Sequence, residues 1–229
     1  EVQKEMTVKA GQKCTAVRRV IVPEKLIEDV QIALGQRLSK TTIGNPSVEG
    51  VRMGSLAGKS QKTEVLENIS KLAKSQEIVF GDEESFEVIG ASKEKGAFVS
   101  PFLFLNSYPF KNLDCHDIEV FGPVATIMPY KDVNEAIKLA RLGKGSLVCS
   151  LVTNDMKLAE QFVLGASSMH GRILVLNELC AKESTGHGSP MPLLTHGGPG
   201  RAGGGEEMGG IRGIKHYMQR TAIQGHPST

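Results

Sequence analysis

The sequence predicts an α/β fold with a mainly parallel sheet, and two observations carry that expectation. Short runs rich in β-branched and aromatic residues alternate with helical periodicities of about a dozen residues. With 229 residues, 40% of them apolar and 23% charged, the chain is also long enough to bury a sizeable core.

The elements follow in order. EVQKEMTVKA reads as a short helix that stops near Gly11, and VRRVIV (17–22) as a strand bounded by Pro23. From Glu24, the spacing of Leu26, Ile27, Val30, Ala33, Leu34 and Leu38 predicts a helix. A GNP turn at 44–46 opens a polar loop. Ser60 to Ser75 predicts a second amphipathic helix, with Val65, Leu66, Ile69 and Leu72 on one face, followed by the strand EIVF (77–80). After a charged, weakly patterned stretch (82–96) comes the buried strand FVSPFLFL (98–105), interrupted by Pro101. VATIMPY (124–130), SLVCSLVT (146–153) and RILVLN (172–177) are strands, while VNEAIKLARL (133–142) and MKLAEQFVLGA (156–166) are helices. Residues 184–210 replace periodicity with glycine and turns. IKHYMQRTAIQ (214–224) reads as a final exposed strand.

Composition excludes several classes. The 27 basic and 25 acidic side chains, net +2, are spread along the chain, without the basic block of a nucleic-acid binder. No apolar run approaches a bilayer span, so no membrane partner is expected. Cys14, Cys115, Cys149 and Cys180 lie far apart with no C-x-x-C pair, which argues for reduced thiols and a cytoplasmic location. There is no secretory signal, and the absence of an initial Met suggests a piece cut from a longer protein.

Cys14 is the first candidate for chemistry. Free cysteine is among the most buried residue types, so a core thiol is the bland alternative. Against it stand Gly11, which permits a sharp turn, and a position between that turn and a strand, where loop residues meet a cleft. Lys13, and any helical turn starting at Thr15, would favour a thiolate. Other candidates are weaker. GGPGRAGGGEEMGG (197–210) follows no strand and lacks the Gly-Lys-Ser/Thr of a phosphate loop, so a packing loop or subunit contact is the better reading. GKGSLV (143–148) precedes a strand and fails the same way. Asp114-Cys115-His116 are adjacent and point apart, and His187, His196 and His216 lack zinc spacing, so no metal is expected.

AGQKCTAVRRVIV (10–22) resembles the cysteine signature of the aldehyde dehydrogenase superfamily. IEVFGPVATI (118–127) is similar to that family's Glu-x-Phe-Gly-Pro segment, about a hundred residues later, as the family spacing demands. NPSVEGVRMGSL, GAFVSPFLF, NEAIKLA, SLVCSLVTND and GRILVLN follow the family's order. The resemblance covers essentially the whole chain but only the family's catalytic half. The glycine-rich end is similar to a narrower subgroup, the dehydrogenase halves of bifunctional phenylacetate-degradation proteins. Ser189-Pro190-Met191-Pro192 stands here in place of the common Ser-Pro-Phe-Gly-Gly.

The resemblance implies a three-layer αβα catalytic domain over 1–229, with 214–224 as an oligomerisation strand of a homo-oligomer. It implies Cys14 as nucleophile, Glu119 on the nicotinamide ribose hydroxyls and Phe121 packed nearby, with NAD or NADP as cofactor. Its dinucleotide-binding domain, general base and oxyanion Asn would lie upstream, so the isolated piece is expected to be inactive. The substrate implied is an aldehyde, from the subgroup a coenzyme A-linked semialdehyde, oxidised through a thiohemiacetal and thioester. Two alternatives stay open: a coenzyme A-acylating dehydrogenase and an inert assembly fragment.

Overall fold

The computed structural model describes residues 1–180, 182–188, 191, 196–203, 211–216, 218 and 221. Its centre is a four-stranded sheet made of β1 (Arg19–Pro23), β2 (Glu77–Phe80), β3 (Phe102–Leu105) and β4 (Val124–Tyr130), in the order β1-β4-β3-β2. β4 runs parallel to both β1 and β3, with Arg19 opposite Thr126 and Phe102 opposite Val124; β2 closes the edge antiparallel. The ladder begins only after Pro101, which has no N–H to give; Phe102 donates to the Pro123 carbonyl at 2.9 Å.

Alternation along β3 and β4 covers the sheet on both faces. Phe102, Phe104 and Val124 turn to one side and pack with Val65, Ile69 and Leu72 of α3 (Lys59–Leu72). Leu103, Ala125 and Ile127 turn to the other, against Met6 of α1 (Val2–Thr7) and Leu34 and Leu38 of α2 (Ile27–Leu38). Layers on both faces of a mostly parallel sheet are the αβα arrangement that the resemblance implies.

A one-turn helix, α4 (Asp114–Asp117), was not expected from the sequence. It buries Cys115 and His116 toward different partners. Asn106 donates to the Cys115 sulfur at 3.3 Å, and the His116 Nε2 lies 2.9 Å from the Pro109 carbonyl. Beyond β4, α5 (Val133–Arg141) and α6 (Met156–Ala166) flank a parallel pair, β5 (Ser146–Val152) with β6 (His170–Leu176). Asp132 and Asp155 cap the two helices by accepting backbone N–H bonds at positions two and three residues on. Arg19, on β1, donates to the Leu139 and Ala140 carbonyls near the end of α5 and so ties that helix to the four-stranded sheet.

The glycine-rich run explains itself locally. A Cβ on Gly171 would stand 1.6 Å from the Gly197 carbonyl oxygen, and one on Gly198 would stand 2.6 Å from that of Ser146. These backbones touch where β5 and β6 begin, so that part of the run is a packing loop. Residues 211–216 form a short helix, α7 (Ile211–His216). The expected strand 214–224 thus begins inside a helix, and apart from 218 and 221 the rest of it lies outside the described residues, as do Ser189, Pro190 and Pro192.

Candidate active site

The chain enters β1 through a strained turn. After α1 a tighter helical turn, Val8–Gly11, carries Lys9 at φ 53, Ala10 at φ 51 and Gly11 at φ 70. Left-handed backbone costs a non-glycine residue roughly 1–2 kcal/mol, so two such residues in succession require outside support. Gln12 supplies part of it. Its amide donates to the Lys9 carbonyl at 3.0 Å, and its side-chain oxygen accepts from the Ala57 N–H at 2.9 Å. The next turn closes with Ala16 N–H on the Lys13 carbonyl at 3.1 Å. Cys14 sits in that turn with its side chain exposed. An exposed thiol in a braced turn is open to an electrophile, which a core cysteine is not.

No helical turn starts at Thr15: the chain goes on extended into β1. Lys13 does not stand free beside the thiol either. Its ammonium lies 2.7 Å from the carboxylate of Glu5 on α1, whose side chain is 3% exposed. Both supports the sequence offered for a thiolate therefore fall away, and exposure in the turn is what remains. The segment 187–188 braces the same turn from the C-terminal region. The Thr15 hydroxyl donates to the Gly188 carbonyl at 3.4 Å. The buried His187 ring lies 2.7 Å from the Ser150 hydroxyl, and Arg172 donates to the His187 carbonyl at 2.6 Å. Burial pushes the His187 pKa below the usual imidazole value; the Glu5 carboxylate and the Thr15 backbone pull the other way.

Glu119 and Phe121 lie in the entrance to β4. Neighbouring side chains there alternate between core and surface: Val120 is 3% exposed while Phe121 is 42% exposed and the Glu119 side chain 52%. That is what the x in Glu-x-Phe does. Val120 anchors the segment in the core and leaves the carboxylate and the ring partly exposed.

Arg18 joins the two entrances. One end of its guanidinium donates to the Gly122 carbonyl at 2.6 Å. The other donates to the Gly11 carbonyl at 2.6 Å, with Lys13's at 3.5 Å. Its Nε is buried without a hydrogen-bond partner and lies 3.8 Å from the Glu119 carboxylate; the Phe121 ring centroid is 5.4 Å from the guanidinium. Burial pushes the Arg18 pKa down to about 10, with Glu119 offsetting part of that. The structure thus brings Cys14's turn together with Glu119 and Phe121. Sequence reading missed the link, because Arg18 stands in a run that reads simply as strand. Gln12 and Glu5 were missed likewise.

Two further features lie apart from this group. Among the described residues no cluster of three or more His, Cys, Asp or Glu side chains could hold a metal, and no helix is long and apolar enough to cross a membrane. A cavity of about 280 Å³ opens at the carboxyl ends of β3 and β4, lined by Tyr108, Phe110, Tyr130, Lys131 and Glu135. None of Cys14, Glu119 or Phe121 lines it.

The family model described as the aldehyde dehydrogenase family matches residues 1–223. Among curated relatives, "Protein MaoC" of Klebsiella aerogenes is 52% identical over 177 residues, covering 77% of this chain and 51% of that protein. The "3,4-dehydroadipyl-CoA semialdehyde dehydrogenase" of Aromatoleum evansii is 41% identical over 199 residues, covering 87% of this chain and 39% of that one. Among solved structures, the NAD+ complex of an aldehyde dehydrogenase from Bacillus cereus superimposes with a TM-score of 0.78 at 24% identity, over 95% of this chain and 40% of that one. At that identity the likeness speaks for the fold. The chain spans about half or less of the length of these relatives.

Proposed function

We propose a function from one premise: this chain belongs to the aldehyde dehydrogenase family. It is the catalytic portion of an NAD(P)-dependent aldehyde dehydrogenase with Cys14 as nucleophile. The observation that carries the reading is Cys14 exposed in a braced turn that Arg18 ties to the loop bearing Glu119 and Phe121. In this reading the Cys14 thiolate attacks the aldehyde carbon, forming a C–S bond and leaving the negative charge on the former carbonyl oxygen. The sulfur holds that carbon as a thiohemiacetal and, once the carbon is oxidised, as a thioester that water cleaves to the acid.

A nicotinamide dinucleotide fits the outward-facing pair. Glu119's exposed carboxylate has acceptor capacity for two ribose hydroxyls, and the Phe121 ring offers an apolar face beside it. When bound there, the dinucleotide supplies the two-electron oxidising power of the reaction. Glu119 and Phe121 orient it, while Cys14 keeps the substrate carbon covalently in place.

The substrate we propose is a coenzyme A-linked semialdehyde of aromatic degradation. Its support is the printed name of the Aromatoleum evansii relative and the similarity of the glycine-rich end. The family's dinucleotide-binding portion and general base would stand before residue 1, and the whole protein would work as a cytoplasmic homo-oligomer. A match to about half or less of each relative agrees with a partner portion elsewhere in the protein. Transfer of the acyl group to free coenzyme A is the second reading; the group that activates water for hydrolysis decides between the two.

The test uses the full-length protein, with and without Cys14→Ser, and follows nicotinamide reduction with a coenzyme A semialdehyde and with a simple aldehyde. Reduction that disappears in the variant and is fastest with the thioester substrate is the expected result. Turnover that survives Cys14→Ser refutes the nucleophile. A second thioester formed only when free coenzyme A is added would replace hydrolysis by acyl transfer.

A further inference from the structure

Arg18 stands outside the three residues given chemical roles, yet it has more bonds into the site than any of them. Its fork spans the Gly11 and Gly122 carbonyls at 2.6 Å each, groups 111 positions apart in the chain. Its Nε–H is buried, unpartnered and 3.8 Å from Glu119. A buried donor left unmade is costly, and a movement of about 1 Å by the exposed Glu119 side chain would satisfy it with a charge-assisted bond. Glu119 therefore has two competing engagements, Arg18 on its inner side and whatever ligand it meets on its outer side. The Arg18 guanidinium that faces it also holds the backbone leading into the Cys14 turn, at the Gly11 carbonyl and, at 3.5 Å, at the Lys13 carbonyl.

We infer that Arg18 is a positioning residue that couples the Glu119–Phe121 loop to the nucleophile's turn, so that engagement of Glu119 changes how Cys14 is presented. The inference rests on the functional reading above for the identity of Glu119's ligand. The coupling itself rests on the geometry. Lysine cannot replace arginine here, because a single ammonium does not present the planar fork that reaches both carbonyls.

The experiment uses the full-length protein with Arg18→Lys, Glu119→Gln and the double variant. Three quantities are read per titrated thiol: the iodoacetamide alkylation rate of Cys14, kcat, and KM for the dinucleotide. Arg18→Lys loses the fork that holds the Gly122 carbonyl beside Glu119 and Phe121, and is therefore expected to raise KM about tenfold, the weight of one charge-assisted bond, and to lower kcat by up to about 10²-fold as the thiol is misplaced. Glu119→Gln is expected to change the Cys14 alkylation rate by about threefold or more in wild-type background and not in the Arg18→Lys background. A role confined to folding would reduce the number of titratable sites and leave KM per site unchanged; that result overturns the inference. If Arg18→Lys fails to fold, Glu119→Gln alone decides, since an unaltered alkylation rate removes the coupling. Alkylation needs no aldehyde, so a wild-type protein that oxidises no aldehyde would sink the functional reading and leave the coupling measurable.

Discussion

Gly11→Ala is the substitution that most directly probes the site's construction. Gly11 has φ 70, and a Cβ there would stand 2.1 Å from the Gly122 carbonyl oxygen, 2.5 Å from its carbon and 2.8 Å from the Pro123 nitrogen. All three are backbone atoms of the entrance to β4, so no side chain can swing away to make room. Left-handed backbone at an alanine and overpacking against a rigid neighbour together predict a loss of about 2–5 kcal/mol. That is a large share of the roughly 5–15 kcal/mol that holds an ordinary domain together. Relief requires the two entrances to part by more than an ångström, which also pulls the Gly11 or the Gly122 carbonyl off Arg18. Urea unfolding measures the first effect and aldehyde turnover of the full-length protein the second, where a displacement of about 1 Å predicts up to a 10²-fold fall. A variant within about 0.5 kcal/mol of wild type, the range of an innocuous surface change, would refute the close approach itself.

The remaining predictions follow from the groups that brace the turn. Glu5→Gln leaves the Lys13 ammonium, 19% exposed, without its counter-charge and should cost about 3 kcal/mol; a urea midpoint unchanged from wild type would mean the pair contributes nothing. Burial holds His116, His170 and His187 below the ordinary imidazole value of 6.5. The unfolded chain then binds more protons than the folded one between those depressed values and 6.5. Stability is thus complete above about pH 6.5 and declines as the pH falls through that window, by at most about 1.4 kcal/mol per pH unit for each histidine. Urea midpoints between pH 7.5 and 5.5 should fall on acidification, and His187→Gln should flatten the slope; midpoints that stay level would contradict the burial of these rings.

What could be read in advance was whatever repeats over a short distance. Val65, Ile69 and Leu72 announce the buried face of α3, and the β-branched and apolar runs of β1, β4, β5 and β6 announce strands. Pairings across long separations were invisible to such patterns. Nothing in EIVF says that β2 pairs antiparallel at the edge, and nothing in DCHD marks a single helical turn. Arg18 is the clearest case: its partners lie 7 and 104 residues away, so only the folded chain shows that it is a bridge. Lys13 misled for a similar reason. Beside Cys14 in sequence it promised a positive charge for the thiol, but the left-handed turn at Lys9–Gly11 brings Glu5 back upon it.

The position of the site relative to the sheet is itself informative. In open α/β sheets ligands gather beyond the carboxyl ends of the strands, and the 280 Å³ cavity beside Tyr108 and Tyr130 is placed there. Cys14, Glu119 and Phe121 lie instead at the amino ends, in the segments that lead into β1 and β4. Parallel pairing makes this possible. With Arg19 opposite Thr126, the entrances of the two strands must lie side by side on one edge of the sheet, however far apart they are in the chain. The excursion between them holds α2, α3, β2, β3 and α4, which together form much of the two cores beneath and above the sheet. An antiparallel pairing of β1 with β4 would carry Glu119 to the opposite edge from Cys14. The long spacing between the cysteine motif and the Glu-x-Phe-Gly-Pro motif is therefore the length of chain that builds the rest of this sheet and its flanking helices before returning to β1. The two motifs meet because the register of β1 on β4 returns the chain to where it began, with the Gly11 and Gly122 backbones in close approach and Arg18 bonded to both.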